Sequence, residues 1–238
     1  MLPLNKQNRY RAQYARLRPG WRSSGDQLEA LARRYIGPEA QVLDVGCGRG
    51  GVLEVLGPAA GRAVGLDPDW RSLAEQRAEL LLAAGRAEAL PLAAEAFDVL
   101  LAVWVFEHLA QPAAALSEAW RVLRPGGRLV VLTPNLRHPV VWANRLSQLW
   151  PGLQRRLVPA LYGRAEADTF RVHYRANTPA RLAGLARAAG FSVDLLRAIP
   201  DPTYLAFDDR FFRLSVALER LLPEGWGVHL LSVLAKPA

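Results

Sequence analysis

The segment Gln41-Val42-Leu43-Asp44-Val45-Gly46-Cys47-Gly48-Arg49-Gly50-Gly51 constrains this chain more than any other. A short apolar run that stops abruptly at glycines reads as a buried strand delivered into a tight turn. The glycines let the backbone bend sharply and come close to a ligand with no Cβ in the way. Val52 to Leu56 then begins a helix, stopped at Gly57-Pro58, and Arg62 to Asp67 reads as a second strand ending in an acid. A carboxylate at that strand tip can accept both ribose hydroxyls of an adenosine lying across the sheet edge. Strand, glycine loop, helix, strand and acid together form a nucleoside-binding arrangement.

The alternation continues. Asp69 caps a helix expected over 70–84, with Leu73, Leu80 and Leu81 on one face, and Arg86 to Leu90 reads as a third strand. Phe97 to Trp104 is a strongly apolar fourth strand. Pro112 opens a helix that closes at Arg124-Pro125-Gly126-Gly127, and Arg128 to Leu132 is a fifth strand. Past Pro134 a basic stretch of three prolines, 136–176, interrupts the pattern as an insertion above the sheet's carboxyl edge. A helix from Thr178-Pro179 to Gly190, a sixth strand to Ile199, an amphipathic helix over 210–222 and a last strand over 228–235 follow. Asp26 to Tyr35 reads as a covering helix ahead of the first strand. The expected fold is α/β: a Rossmann-like, doubly wound, seven-stranded and mostly parallel sheet. Its divisions are a helical N-terminal cap (1–39), a cofactor-binding core (40–135), the basic insertion (136–176) and the C-terminal part of the sheet (177–238).

At 238 residues the chain needs one core. No apolar run is long enough to span a bilayer, the start lacks the order of a secretory signal, and the single cysteine excludes an internal disulfide and a multi-cysteine metal site. These features read as a soluble, cytoplasmic protein. The net charge of +8 is concentrated in residues 1–40 and 136–176, whereas 41–135 is mildly acidic. Such asymmetry suggests an anionic partner: a phosphorylated or carboxylated substrate, a membrane surface or RNA. Only Lys6 and Lys236 among the thirty basic residues are lysine, so genomic composition is a second explanation.

Gly46, Gly48 and Gly51 also satisfy the dinucleotide pattern G-x-G-x-x-G. Asp44, just ahead of the loop, argues otherwise: a carboxylate there repels a pyrophosphate and suits a ligand carrying positive charge, such as an amino-acid sulfonium. Asp44-Val45-Gly46-Cys47-Gly48-Arg49-Gly50 resembles the first motif of class I S-adenosylmethionine-dependent methyltransferases, D/E-x-G-x-G-x-G. Ala87-Glu88-Ala89-Leu90-Pro91-Leu92, Phe97-Asp98-Val99-Leu100-Leu101 with Glu107-His108-Leu109, and Arg121 to Leu129 are similar to later blocks of its ubiquinone/menaquinone-type branch. The resemblance implies S-adenosylmethionine as cofactor. By position, Asp44 would hold the amino end of the methionyl group, and Gly46, Cys47, Gly48 and Gly50 would face the cofactor with backbone. Asp67 and Pro68 would lie at the ribose, Ala87 and Glu88 beside adenine, and Ala102 and Val103 on the sulfonium side. Arg86 stands where the family has an acid, which puts side-chain recognition of the adenine amino group in doubt.

Methyl transfer needs positioning above all, and a base only when the acceptor loses a proton. His108 and His173 are the candidates. Against them stand a helix start or cap for Glu107-His108, and a solvated loop with an N-cap for the segment from Asp168 to Thr178. Tyr10 and Tyr14 either close over the site as a lid or pack the amino-terminal helix. Cys47 has no suggested histidine partner, so it is not expected to be a nucleophile. Trp142, Leu146, Leu149, Leu153, Leu157 and Leu161 recur at near-helical spacing with Arg145, Arg155 and Arg156 between them, and Pro151 splits the run into two short helices. That insertion reads as an acceptor pocket, an interfacial membrane patch or an ordinary lid. The expected acceptor is small or lipid-like. RNA or protein methylation is the rival raised by the basic flanks, although Ala102-Val103-Trp104-Val105 stands where an N/D-P-P-Y-like amine-binding block would be. A non-catalytic nucleoside-binding module is the rival from another class.

Overall fold

The computed structural model describes residues 4–77, 80–147 and 171–238. Seven strands form one sheet: β1 (Gln41–Val45), β2 (Arg62–Asp67), β3 (Leu81–Ala84), β4 (Phe97–Val103), β5 (Leu123–Pro134), β6 (Ser192–Ile199) and β7 (His229–Ala235). Their order is β3-β2-β1-β4-β5-β7-β6. The first five run parallel, and β7 lies antiparallel between β5 and β6. The helices are α1 (Leu4–Leu17), α2 (Ser24–Ala32), α3 (Leu53–Leu56), α4 (Trp70–Ala74), α5 (Pro112–Val122), α6 (Pro139–Ser147), α7 (Pro179–Ala188) and α8 (Asp209–Leu221). None of the described helices is long and apolar enough to cross a membrane.

Successive strand residues point to opposite faces, and both faces are covered, which is why the central strands read as continuous apolar runs. Leu43, Leu100, Leu129 and Val131 pack on one face with Leu116 and Ala119 of α5 and Leu182 and Ala186 of α7. Val42, Val99, Leu101 and Val130 pack on the other with Leu28 and Leu31 of α2 and with Leu53 and Leu56. A capping box fixes the start of α2, where Ser23 and Asp26 exchange hydrogen bonds through side chain and backbone.

Three expectations are corrected. The helix after Asp69 stops at Ala74 rather than 84, and the third strand is Leu81–Ala84 rather than 86–90. Leucine and alanine favour a helix, but β2 has an open edge, and Val64↔Leu81 through Asp67↔Ala84 fill its backbone bonds. Residues 86–89 form a turn instead, closed by Ala89 N donating to Arg86 O at 3.1 Å. The helix of the fourth crossover ends at Val122, and Arg124-Pro125-Gly126-Gly127 lies within β5 as an irregularity in its pairing with β4.

Of the two readings of Tyr10 and Tyr14, packing of the amino-terminal helix holds, because both are core residues. Tyr10 stacks on Phe212 at 4.8 Å and donates to Asp209 at 2.9 Å. Arg11 pairs with the fully buried Asp201 at 2.9 Å, and Trp21 Nε1 donates to Pro200 O at 2.8 Å. The amino-terminal helix thus clamps the segment 200–212 rather than the glycine loop.

Candidate functional site

The strand order reverses between β1 and β4, and open α/β sheets bind ligands at the carboxyl edge beside such a reversal. The glycine loop leaves β1 there. Gly46 N and Cys47 N both donate to Leu66 O on β2, at 2.7 and 3.1 Å. Gly46 has φ +76°, and a Cβ on it would stand 2.5 Å from Val105 Cγ2. Gly46→Ala is expected to cost about 1–3 kcal/mol through backbone strain and this clash. Thermal denaturation reads that as a fall of about 2–4 °C in Tm per kcal/mol; an unchanged Tm would contradict the loop conformation. Gly50 completes the turn, its N donating to Cys47 O at 3.0 Å.

Two acids meet at this edge. Asp67, at the tip of β2, accepts from Gly48 N at 2.9 Å and from Asp69 N at 2.8 Å. A carboxylate offers about four lone-pair directions, so it retains capacity for ligand hydroxyls. Asp44 is 3% exposed, and no hydrogen bond or ion pair reaches its carboxylate among the described residues. Burial, reinforced by the charge of Asp67, pushes its pKa well above the usual range. A buried carboxylate without a partner, facing a second carboxylate, is a site short of one cation.

The remaining expected positions fall around this pair. Burial, then Asp44 and Asp67, pushes the Cys47 thiol up to about 12, and its sulfur sits where a Cβ on Gly65 would come within 2.8 Å. Its part is small volume, not nucleophilicity. Pro68 is exposed beside Asp67. Gly85 N donates to Asp67 O at 3.1 Å, which brings the turn carrying Ala87 and Glu88 to the tip of β2. Arg86 is occupied by Glu88 at 3.7 Å. Ala102 is 2% exposed and packs in the core, so the end of β4 presents Val103, Trp104 and Val105.

Beyond β4 the Glu107-His108 pair lies in a turn; α5 starts at Pro112, so the expected helix start is corrected. Glu107 is buried and accepts from Thr133 Oγ1 at 2.9 Å, while Asn177 Nδ2 donates to the same Thr133 oxygen at 2.7 Å. Burial raises the Glu107 carboxyl to about 7 against the opposing effect of hydrogen bonds from its own backbone and from Thr133. His108 Nδ1 lies 3.0 Å from Arg171 O, and its Nε2 is 3.9 Å from Glu107 Oε1. His173 contributes backbone: its N and that of Tyr174 donate to Glu107 O at 2.6 and 3.1 Å. The His173 ring makes no hydrogen bond among the described residues.

Sequence reasoning missed three groups at this edge. His229, at the start of β7, is fully buried; its Nε2 lies 2.7 Å from the Tyr204 hydroxyl, and its Nδ1 has no hydrogen-bond partner among the described residues. Trp104, 38% exposed, packs edge-on against it at 4.8 Å. Both Trp104 (φ +60°) and Tyr174 (φ +51°) hold left-handed backbone, which bulky residues adopt only where surroundings enforce it. The apolar run of the last strand concealed His229, and nothing in sequence spacing announces a left-handed tryptophan. In the insertion, α6 carries Trp142, Arg145 and Leu146, whereas Leu149, Pro151, Leu153, Arg155, Arg156, Leu157, Leu161 and Asp168 lie outside the described residues.

Residues 43–131 match a family model described as a methyltransferase domain. A Mycolicibacterium smegmatis protein named "Probable S-adenosylmethionine-dependent methyltransferase" is 39% identical over 110 residues, 45% of this chain and 42% of that protein. A ubiquinone biosynthesis O-methyltransferase of Parvibaculum lavamentivorans is 35% identical over 140 residues, 56% of this chain and 54% of that protein. The chain spans about half the length of these curated relatives. The YcgJ protein of Bacillus subtilis shares the fold, with TM-score 0.61 and 16% identity over 90% of this chain and 99% of that one. Residues 43–131 are therefore similar to the methyltransferase domain family, and the chain shares its fold with solved proteins of the class I methyltransferase type.

Proposed function

We propose that the chain transfers a methyl group from S-adenosylmethionine to a hydroxyl-bearing, largely apolar acceptor, small or lipid-like. The observation that carries this reading is the buried Asp44, without a partner among the described residues, beside Asp67 at the tips of adjacent strands joined by the glycine loop. The cofactor fits these residues: its positive charge answers Asp44, its ribose hydroxyls answer the spare lone pairs of Asp67, and the glycine loop admits it closely. When bound, it supplies a methyl group on positively charged sulfur, an electrophile that needs orientation more than activation. Gly46, Cys47, Gly48 and Gly50 would present backbone to it, Pro68 would flank the ribose, and Ala87 and Glu88 would border adenine. Val103 and the backbone of Ala102 would flank the methyl-bearing end.

Trp104 offers an exposed aromatic face at the same edge, backed by the buried His229 and by Tyr204, suited to a flat or chain-like apolar acceptor. Glu107 would take the proton that the acceptor hydroxyl gives up as it is methylated. A carboxylate with a pKa of about 7 is half deprotonated at neutral pH, which suits a general base. His108 lies beside Glu107 and is about one-third exposed, so it can carry that proton to solvent. The ubiquinone-pathway relative supports a phenolic acceptor. The cytoplasm, where this cofactor and such acceptors meet, is the location that goes with this reading.

Label transfer from methyl-labelled S-adenosylmethionine into a panel of catechols, prenylated phenols, RNA and protein tests the proposal. Incorporation into the phenols supports it. Label in RNA alone, with RNA retention that weakens steeply with salt, would assign the acceptor to nucleic acid instead.

A further inference from the structure

The outer face of α8 is not explained by methyl transfer. Phe211, Leu214, Leu218 and Leu221 fall on one stripe of that helix and are 50%, 54%, 46% and 79% exposed. The opposite face is used: Phe212, Ser215 and Val216 are buried, and Glu219 pairs with the buried His138 at 3.1 Å. Four large apolar side chains in one row exceed the scattered apolar exposure of an ordinary soluble surface. Exposed Arg210, Arg213 and Arg220 flank the row. At the amino end of the helix, Arg9, Ala12, Gln13 and Arg16 of α1 join Asp209 to line a surface hollow. The Arg9 to Asp209 contact, at 3.0 Å, ties the two helices together there.

We infer that α8 is an interfacial helix: its apolar stripe enters the surface of an anionic membrane while the arginines of α8 and α1 meet lipid phosphates. Charge decides this occupant. An apolar stripe bordered by five arginines, in a chain of net charge +8, repels a second copy of itself and attracts anionic headgroups. Orientation agrees. His138 lies four residues past the end of β5, so the inner face of α8 packs on the carboxyl-edge side of the sheet, where Trp104 is exposed. A protein docked through α8 would bring that edge near molecules dissolved in the bilayer. The inference does not depend on which acceptor is methylated.

Co-sedimentation with phosphatidylcholine vesicles, with and without one-third phosphatidylglycerol, tests it on the full chain. The wild type is expected to pellet with the anionic vesicles at low salt, and to release as salt rises. The double variant Leu214→Glu/Leu218→Glu is expected to bind at least about tenfold more weakly, because it loses the buried apolar area. Arg210→Glu/Arg213→Glu is expected to lose the preference for anionic lipid. Both substitute exposed positions, so unchanged S-adenosylhomocysteine binding certifies that they are folded. Any of three results would overturn the inference. One is absence of pelleting. Another is equal pelleting of the leucine variant, which would place the contact elsewhere on the chain. The last is a wild-type dimer in sedimentation velocity that the leucine variant dissolves, which would make a second copy the occupant.

Discussion

Asp44→Asn is expected to weaken cofactor binding strongly and, at the same time, to stabilise the ligand-free protein. The two effects share one cause. Asp44 is buried at 3% exposure with no partner among the described residues and with Asp67 nearby, so its charged form is disfavoured until a cationic ligand arrives. Folding raises this carboxyl above its unfolded pKa of about 4. The stability of the wild type is therefore full below about pH 4 and declines as pH rises toward the folded-state value, because the unfolded chain releases a proton that the folded chain retains or strains to lose. Asparagine has no such decline. Tm values of variant and wild type should coincide near pH 4 and diverge toward neutrality in favour of the variant, by an amount on the order of 1–3 kcal/mol. The same substitution removes the counter-charge for the bound cofactor, worth about 2–4 kcal/mol, or about 30- to 1,000-fold in Kd. Thermal melts over a pH series and titration calorimetry check both halves. A variant that is less stable at pH 7 and still binds would contradict the role given to this carboxylate.

Glu107→Gln is expected to lower kcat by about 10²- to 10⁴-fold while leaving cofactor affinity near the wild-type value. Glutamine can keep the bond to Thr133, so the turn carrying Glu107 retains its support, and what is lost is proton acceptance. In the wild type, kcat should rise with pH through about 7 as the carboxyl deprotonates, and the variant should lack that limb. A variant with a wild-type profile would move the base elsewhere or remove the need for one. His108→Gln is expected to have a smaller effect than Glu107→Gln, because His108 lies beside Glu107 and would act through it.

How much of this was legible in the sequence depended on whether local chemistry or tertiary context decided each element. β1, β2 and β4 were legible because strands buried on both faces must be nearly all apolar, and glycines or acids mark their tips. Asp44, the glycine loop and Asp67 were legible for the same reason, since their spacing follows from one strand, one crossover and the next strand. β3 was not. Leu80 to Ala84 has helix-forming composition, and only the open edge of β2 turns it into a strand. The helix-start reading of Glu107-His108 competed with the catalytic one because the partners that place Glu107, Thr133 and Asn177, are 26 and 44 residues from one bonded neighbour to the next. His229 lies inside an apolar strand and acquires meaning only through Tyr204 and Trp104. Tyr10 and Tyr14 admitted two readings until α8 supplied Phe212 as the stacking partner.

Titration calorimetry with S-adenosylhomocysteine, set beside a nicotinamide dinucleotide, bears most directly on the whole account. The glycine loop between two acids should take the adenosyl amino acid with a Kd in the micromolar range, about −8 kcal/mol, and should refuse a pyrophosphate at Asp44. Tighter binding of the dinucleotide, or no heat from either, would contradict the assignment of this edge.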